Sequence, residues 1–151
     1  MIYTEITPAI ETAIILQYGS WVRDYHCLQR GNGCCLLAAM DGDTVTGFAA
    51  IHPARWTPPL EQYEDAFIEV IEVAEDYRRK GIGSRLVTLL EQRAKDLGYY
   101  QIRAWSSEDK TEALKMWRKL RYGMCPAVEL GSIKPGFENA VIRGYYYAKV
   151  L

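Results

Sequence analysis

Residues Asp76–Leu86 read DYRRKGIGSRL, three cations (Arg78, Arg79, Lys80) followed by two glycines, Gly81 and Gly83. From there to Gly98 the apolar residues Ile82, Leu86, Val87, Leu89, Leu90, Ala94 and Leu97 recur at helical spacing, and Gly98 fits a helix stop. Just upstream, Ala66–Ala74 (AFIEVIEVA) is rich in β-branched residues and predicts a strand. The segment is therefore a strand, a short turn and a helix with glycines in its first turn. The first N–H groups of a helix have no internal partners and lie at the positive end of its dipole. Glycine leaves them open to close approach by an anion. With the basic residues beside them, these groups predict a phosphate or pyrophosphate site.

The spacing decides which kind. A nucleotide P-loop requires G-x-x-x-x-G-K-[S/T], which is absent, and the third glycine of a dinucleotide fingerprint is replaced by Leu86. Arg78-x-x-Gly81-x-Gly83 instead resembles the [Q/R]-x-x-G-x-[G/A] pyrophosphate loop of the GNAT superfamily of acetyl-CoA-dependent N-acetyltransferases. Its surroundings, Val73 to Gly83 (VAEDYRRKGIG), resemble the family's V-x-P-E-Y-R-G-K-G-I-G run, with Glu75 in the proline place. Gly47-Phe48 also looks familial.

Outward from this segment the pattern is that of one α/β (α+β) domain over residues 1–151, with no repeat, linker or low-complexity tract. Ile2–Ile6 reads as a strand. Thr7-Pro8 reads as an N-cap and first helical residue, opening a helix to about His26 with a break at Gly19-Ser20. Cys34–Met40 and Thr44–Ile51 flank Asp41-Gly42-Asp43 as a hairpin, and Pro53 through Pro59 reads as a loop. Tyr100–Trp105 is a strand, Asp109–Leu120 an amphipathic helix, and Met124–Leu130 and Ala140–Val150 two final strands joined by SIKPGFEN. The resemblance implies a mixed central sheet of about six to seven strands with flanking helices. Its two central parallel strands, Ala66–Ala74 and Tyr100–Trp105, are expected to splay apart.

Composition narrows the partners. The net charge of −1 gives no overall field toward nucleic acid or membrane surfaces, and no apolar run approaches the ~18 residues of a membrane span. The N-terminal MIYTEITPAIE carries two glutamates and no basic residue, unlike a signal peptide. Cys27, Cys34, Cys35 and Cys125 form no C-x-x-C pair, which points to reduced thiols in the cytoplasm and to no metal centre. His26 and His52 have no histidine or carboxylate at ligand spacing and read as ordinary residues.

The resemblance further implies roles. Backbone N–H groups of Arg79, Lys80, Gly81, Ile82, Gly83 and Ser84 would hold the pyrophosphate of acetyl-CoA or coenzyme A, with Arg78 opening the loop. Those near Ile71, Glu72 and Val73 would pair with the pantetheine and polarise the acetyl carbonyl. An amine attacks directly, with no acyl-enzyme. In the later helix the family carries N-x-x-A-x-x-F-Y-x-x-x-G-F, and its tyrosine often protonates the leaving thiolate. Here Lys110 takes the asparagine place and Trp117 the tyrosine place. An indole N–H is no acid at neutral pH. Trp117 is then a pantetheine wall or a core residue, and the chain is either an enzyme whose thiolate leaves without that acid or a weakened or inactive acyl-CoA-binding module.

The incoming ammonium must lose a proton. Glu69 and Glu72, on the strand before the loop, are the candidate bases; alternation puts them on opposite faces unless a bulge intervenes. Glu69 is favoured, nine positions before Arg78, a spacing that resembles polyamine-type acetyltransferases. For the acceptor, Trp21, Tyr25 and Trp56, with Phe137 and Glu138 in the last loop, join Glu69 as aromatic and acidic lining that suits a small-molecule amine. A protein lysine or N-terminus is the alternative. Homodimers are common in the family, and nothing in the sequence demands one.

Overall fold

The computed structural model describes residues 1–130 and 140–151. In chain order its elements are β1 (Ile2–Glu5), α1 (Pro8–Tyr18), α2 (Trp21–Asp24), β2 (Cys35–Asp41), β3 (Thr44–Arg55) and β4 (Glu64–Val73), followed by a 3₁₀ turn (Glu75–Tyr77). Then come α3 (Ile82–Asp96), β5 (Gln101–Ser107), α4 (Thr111–Lys119), β6 (Gly123–Leu130) and β7 (Val141–Val150). The expected loop SIKPGFEN, with Phe137 and Glu138, lies outside the described residues.

The strands form one seven-stranded sheet in the order β1-β2-β3-β4-β5-β7-β6. Every pairing is antiparallel except β4–β5, which α3 joins as a parallel crossover. One core lies beneath α3 and α4, where Ile82, Leu86, Val87, Leu90 and Trp117 meet Ile51, Ile68, Ile102 and Tyr147. The other lies beneath α1 and α2, where Ile14 and Val22 meet Leu36, Phe48 and Val70.

Local chemistry sets most boundaries. The Thr7 hydroxyl accepts from the Ile10 N–H at 3.3 Å, Pro8 opens α1, and Gly19 ends it at φ 108. The expected helix to His26 is shorter: α2 is a single turn, and His26 has left-handed φ 53. β3 runs through the expected loop to Arg55, pairing Pro53 with Ala66. A proline is tolerated there because β2 ends at Cys35, opposite Ile51, so the missing N–H faces an open edge.

Candidate active site

β4 and β5 pair only at Ala66–Ile102, Phe67–Arg103 and Ile68–Ala104. Beyond Ala104, β5 continues to Ser107 against β7, and β4 continues to Val73 against β3. The strands therefore diverge above Ile68, leaving one backbone edge of Ile71, Glu72 and Val73 turned into the gap. Below the vertex, the buried Asp65 carboxylate meets the Arg103 guanidinium and accepts from Gln101 Nε2 at 3.1 Å, clamping the two strands together.

At the open end of the gap, α3 begins. Gly81 caps it at φ 83, no side chain caps the helix, and the Arg85 N–H is bonded back to Gly81 O. The N–H groups of Ile82, Gly83 and Ser84 thus have no place in the helical ladder. A Cβ on Gly81 would meet nothing within 4 Å, so the cradle is open. The cations are arranged around it. Arg78 Nε donates to Val73 O at 3.1 Å, Lys80 lies 4.8 Å from the Tyr77 ring centroid, and Arg79 acts on the Glu112 carboxyl of α4. Arg79 holds φ 62, the left-handed conformation for which the family pattern has glycine. Such an open, basic helix start fits a pyrophosphate.

α4 closes the other side of the gap. Lys110 is its N-cap, and Met116 Sδ lies 3.4 Å from where a Gly83 Cβ would stand. Trp117 is 3% exposed, stacks on Tyr147 and has no hydrogen-bond partner for Nε1.

The two carboxylates share a face, contrary to simple alternation. Ala50 pairs with Val70 but Ile51 with Ile68, so Glu69 is the extra residue of a bulge. Ile68 and Ile71 pack under α3 and α4, whereas Val70 packs under α1 and α2. Glu69 turns to that second side, and so does Glu72. With burial, Glu72 pushes the Tyr18 hydroxyl up to about 12, and burial with both carboxylates pushes the Cys27 thiol up to about 12. Trp21, donating Nε1 to Tyr18 O at 2.7 Å, and Tyr25 pack on the same side. Trp56 does not join them. It pairs with Tyr63 in the β3–β4 loop, beyond the start of β4 and roughly 15–20 Å along the strand from Glu69.

His52 is not the ordinary residue its sequence neighbours indicate. Its Nε2 lies 2.7 Å from Glu69 Oε2, and Nδ1 lies 3.1 Å from Pro53 O. The Glu69 contact, opposed by burial, raises the imidazole above its usual pKa. Seventeen positions separate the two residues; only the β3–β4 register, with His52 facing Phe67, brings them together. The signal lies in the β3–β4 register with its bulge between Ala50 and Ile51, beyond the Thr44–Ile51 stretch that reads locally as a strand. Trp105 reads in the sequence only as the end of a strand. It follows Ala104 on β5, so it stands across the vertex from Glu69, on the same face by parallel register, with Nε1 buried and unpartnered.

Known structures share this architecture. Ribosomal-protein-alanine N-acetyltransferase from Brucella melitensis matches over 100% of both chains at 17% identity, TM-score 0.79. NAA60 from Arabidopsis thaliana, solved with a bisubstrate analogue, matches over 99% of this chain and 97% of its own at 12% identity, TM-score 0.70. The yncA protein from Salmonella typhimurium, solved with its cofactor acetyl-CoA, matches over 100% of this chain and 94% of its own at 14% identity, TM-score 0.69. No curated protein matches the sequence. The model of the acetyltransferase (GNAT) family matches residues 3–122, spanning β1 through α4, with both strands of the gap and the α3 loop. With that match on this fold, the chain belongs to the GNAT family of acetyltransferases.

Proposed function

We propose that the protein transfers the acetyl group of acetyl-CoA to a primary amine by direct attack. The observation that carries this reading is the uncapped first turn of α3 at the mouth of the β4–β5 gap, with Glu69 at its vertex. Acetyl-CoA supplies an activated acetyl thioester. The N–H groups of Arg79 through Ser84 would bind its pyrophosphate, with Arg78 and Lys110 beside them. The open edge of Ile71, Glu72 and Val73 would hold the pantetheine and donate to the acetyl oxygen. Trp117 would back the gap as a packed wall rather than as an acid.

On the opposite face, Glu69 accepts the proton of the incoming ammonium, with Glu72 as the neighbouring carboxylate. Trp21 and Tyr25 line the approach; Trp56, remote from Glu69, would touch only a long acceptor. Cys27 supports attack without an acyl-enzyme: a thiol pushed up to about 12 is protonated at neutral pH and a poor nucleophile. The acceptor we favour is a small-molecule amine, and the four free cysteines accord with a cytoplasmic protein.

A second reading has its own support. Brucella ribosomal-protein-alanine N-acetyltransferase has this fold over its whole length, which makes a protein N-terminus the competing acceptor. Thiol release from acetyl-CoA, measured across small amines, lysine peptides and peptides with free N-termini, separates the cases. Release with small amines alone supports the favoured reading, and release with N-terminal peptides alone replaces it. Binding of acetyl-CoA with no release anywhere leaves a binding module.

A further inference from the structure

His52 presents two ring nitrogens to two acceptors. Nδ1 faces the Pro53 carbonyl oxygen at 3.1 Å and Nε2 faces Glu69 Oε2 at 2.7 Å. A carbonyl oxygen only accepts, an ionised carboxylate only accepts, and a neutral imidazole carries a single N–H. Whichever nitrogen bears that hydrogen, the other points a lone pair at an oxygen lone pair. One further proton satisfies both contacts together. Both side chains are 21% exposed, so water relieves the mismatch poorly.

We propose that His52 and Glu69 act as one proton-accepting unit for the incoming amine, with Glu69 touching the substrate and His52 as the positioning residue behind it. This rests on the acetyl-transfer reading above. The unit starts with a neutral imidazole, Nδ1–H donated to Pro53, beside the Glu69 carboxylate. As the amine nitrogen bonds to the acetyl carbon, the carbon–sulfur pair leaves with the sulfur. By then the ammonium has given one proton to the Glu69 carboxylate, shared with His52 Nε2 and later returned to solvent, and the nitrogen's second proton, lost as the adduct collapses, passes to the departing thiolate. Glu72 is a second carboxylate on this face. Phe67, with its ring centroid 5.7 Å away, is uncharged. Cys27, near both Glu69 and Glu72 on the α2 side, stays protonated. The upward shift of the imidazole, caused first by Glu69, agrees with the geometry. A proton acceptor raised above the usual histidine value suits work near neutral pH.

The chain has two histidines, so ¹⁵N imidazole spectra resolve His52 from His26, with His52→Gln as the assignment. His52 should titrate above 6.5 in the unaltered protein and lower in Glu69→Gln, where the Pro53 carbonyl alone is left to oppose burial. Titration at or below 6.5 in the unaltered protein, or no response to Glu69→Gln, overturns proton sharing without needing any turnover. With an accepted amine, kcat/KM should rise with pH along a limb at the pKa read from the spectra. His52→Gln should move that limb down and lower kcat/KM at pH 8 by about 10–100-fold, with KM for acetyl-CoA unchanged. A limb that stays in place in His52→Gln makes the pair merely structural and overturns the inference. Raised titration of His52 with no turnover on any amine instead overturns the acetyl-transfer reading on which it rests.

Discussion

Trp117 lies nearly parallel to Tyr147, ring centroids 5.0 Å apart and planes inclined by 27°, while Tyr122 meets it edge-on at 4.7 Å. The stack ties α4 to β7 beside the gap, in the place where the family motif carries tyrosine. Trp117→Phe keeps an aromatic ring and removes a buried N–H that has no partner, so its stability should stay within about 1 kcal/mol. Trp117→Ala should lose about 3–5 kcal/mol. Urea unfolding measures both. Acetyl transfer should survive in Trp117→Phe; a folded but inactive Trp117→Phe would give the indole N–H a direct part in the reaction.

Gly83 sits where α3, α4 and the end of β4 meet, with Met116 Sδ and Val73 Cγ2 at 3.4 and 3.7 Å from a built Cβ. Gly83→Ala should therefore fold, while Gly83→Asp adds a negative charge beside the α3 N–H groups. Acetyl-CoA at ~100 times its Kd should stabilise the unaltered protein by roughly 2.7 kcal/mol and Gly83→Asp far less. Equal melting shifts in the two would move the pyrophosphate away from this turn.

Arg121 holds φ 63, where the family motif has glycine. A left-handed conformation costs an L-residue about 1–2 kcal/mol, and glycine returns about 0.4–1 kcal/mol of that through the unfolded chain. Arg121→Gly should thus gain about 0.5 kcal/mol, and Arg121→Ala should gain nothing. Equal gains in both variants would trace the effect to the side chain instead of the backbone.

The Asp65–Arg103 pair clamps β4 to β5 below the vertex. Asp65→Asn should cost about 2–3 kcal/mol, less than a fully buried pair because the Arg103 side chain keeps 30% exposure. A double-mutant cycle with Arg103→Met isolates the coupling, and additivity of the two changes would remove the clamp from the account.

His52 also links stability to pH. Its folded pKa is raised above 6.5, so its contribution is fully present below the unfolded pKa and is lost as pH rises through the folded one. Chemical unfolding at pH 6 and pH 9 should show a stability loss for the unaltered protein that is smaller in His52→Gln. A loss of the same size in that variant would assign the effect to other groups.

What the sequence disclosed followed from local physics. The Thr7 cap, the Gly19 break and the Gly81 helix start are each written within a few residues, and the period of α3 spans enough turns to be unambiguous. The acceptor face was not legible, because it is made by register. Glu69 and Glu72 share a face only through a bulge, and His52 reaches Glu69 only across the β3–β4 pairing. Asp65 meets Arg103, and Trp105 stands across from Glu69, through the parallel pairing of strands joined by a helix. Pro53 signalled a loop locally, and an open strand edge overruled it.

The sheet order carries a consequence for synthesis. β7 lies between β5 and β6, although the ribosome makes it after both. Until it emerges, β5 has pairing on one edge only and β6 has no neighbour in the sheet, while β1 to β4 can already close against α1 to α3. Tyr147, fully buried beneath Trp117, arrives with β7 as well, so α4 waits for the same strand to complete its core. A chain released before β7 is made would therefore present two unsatisfied β-edges, the form in which this protein should be most prone to aggregate and most dependent on chaperones.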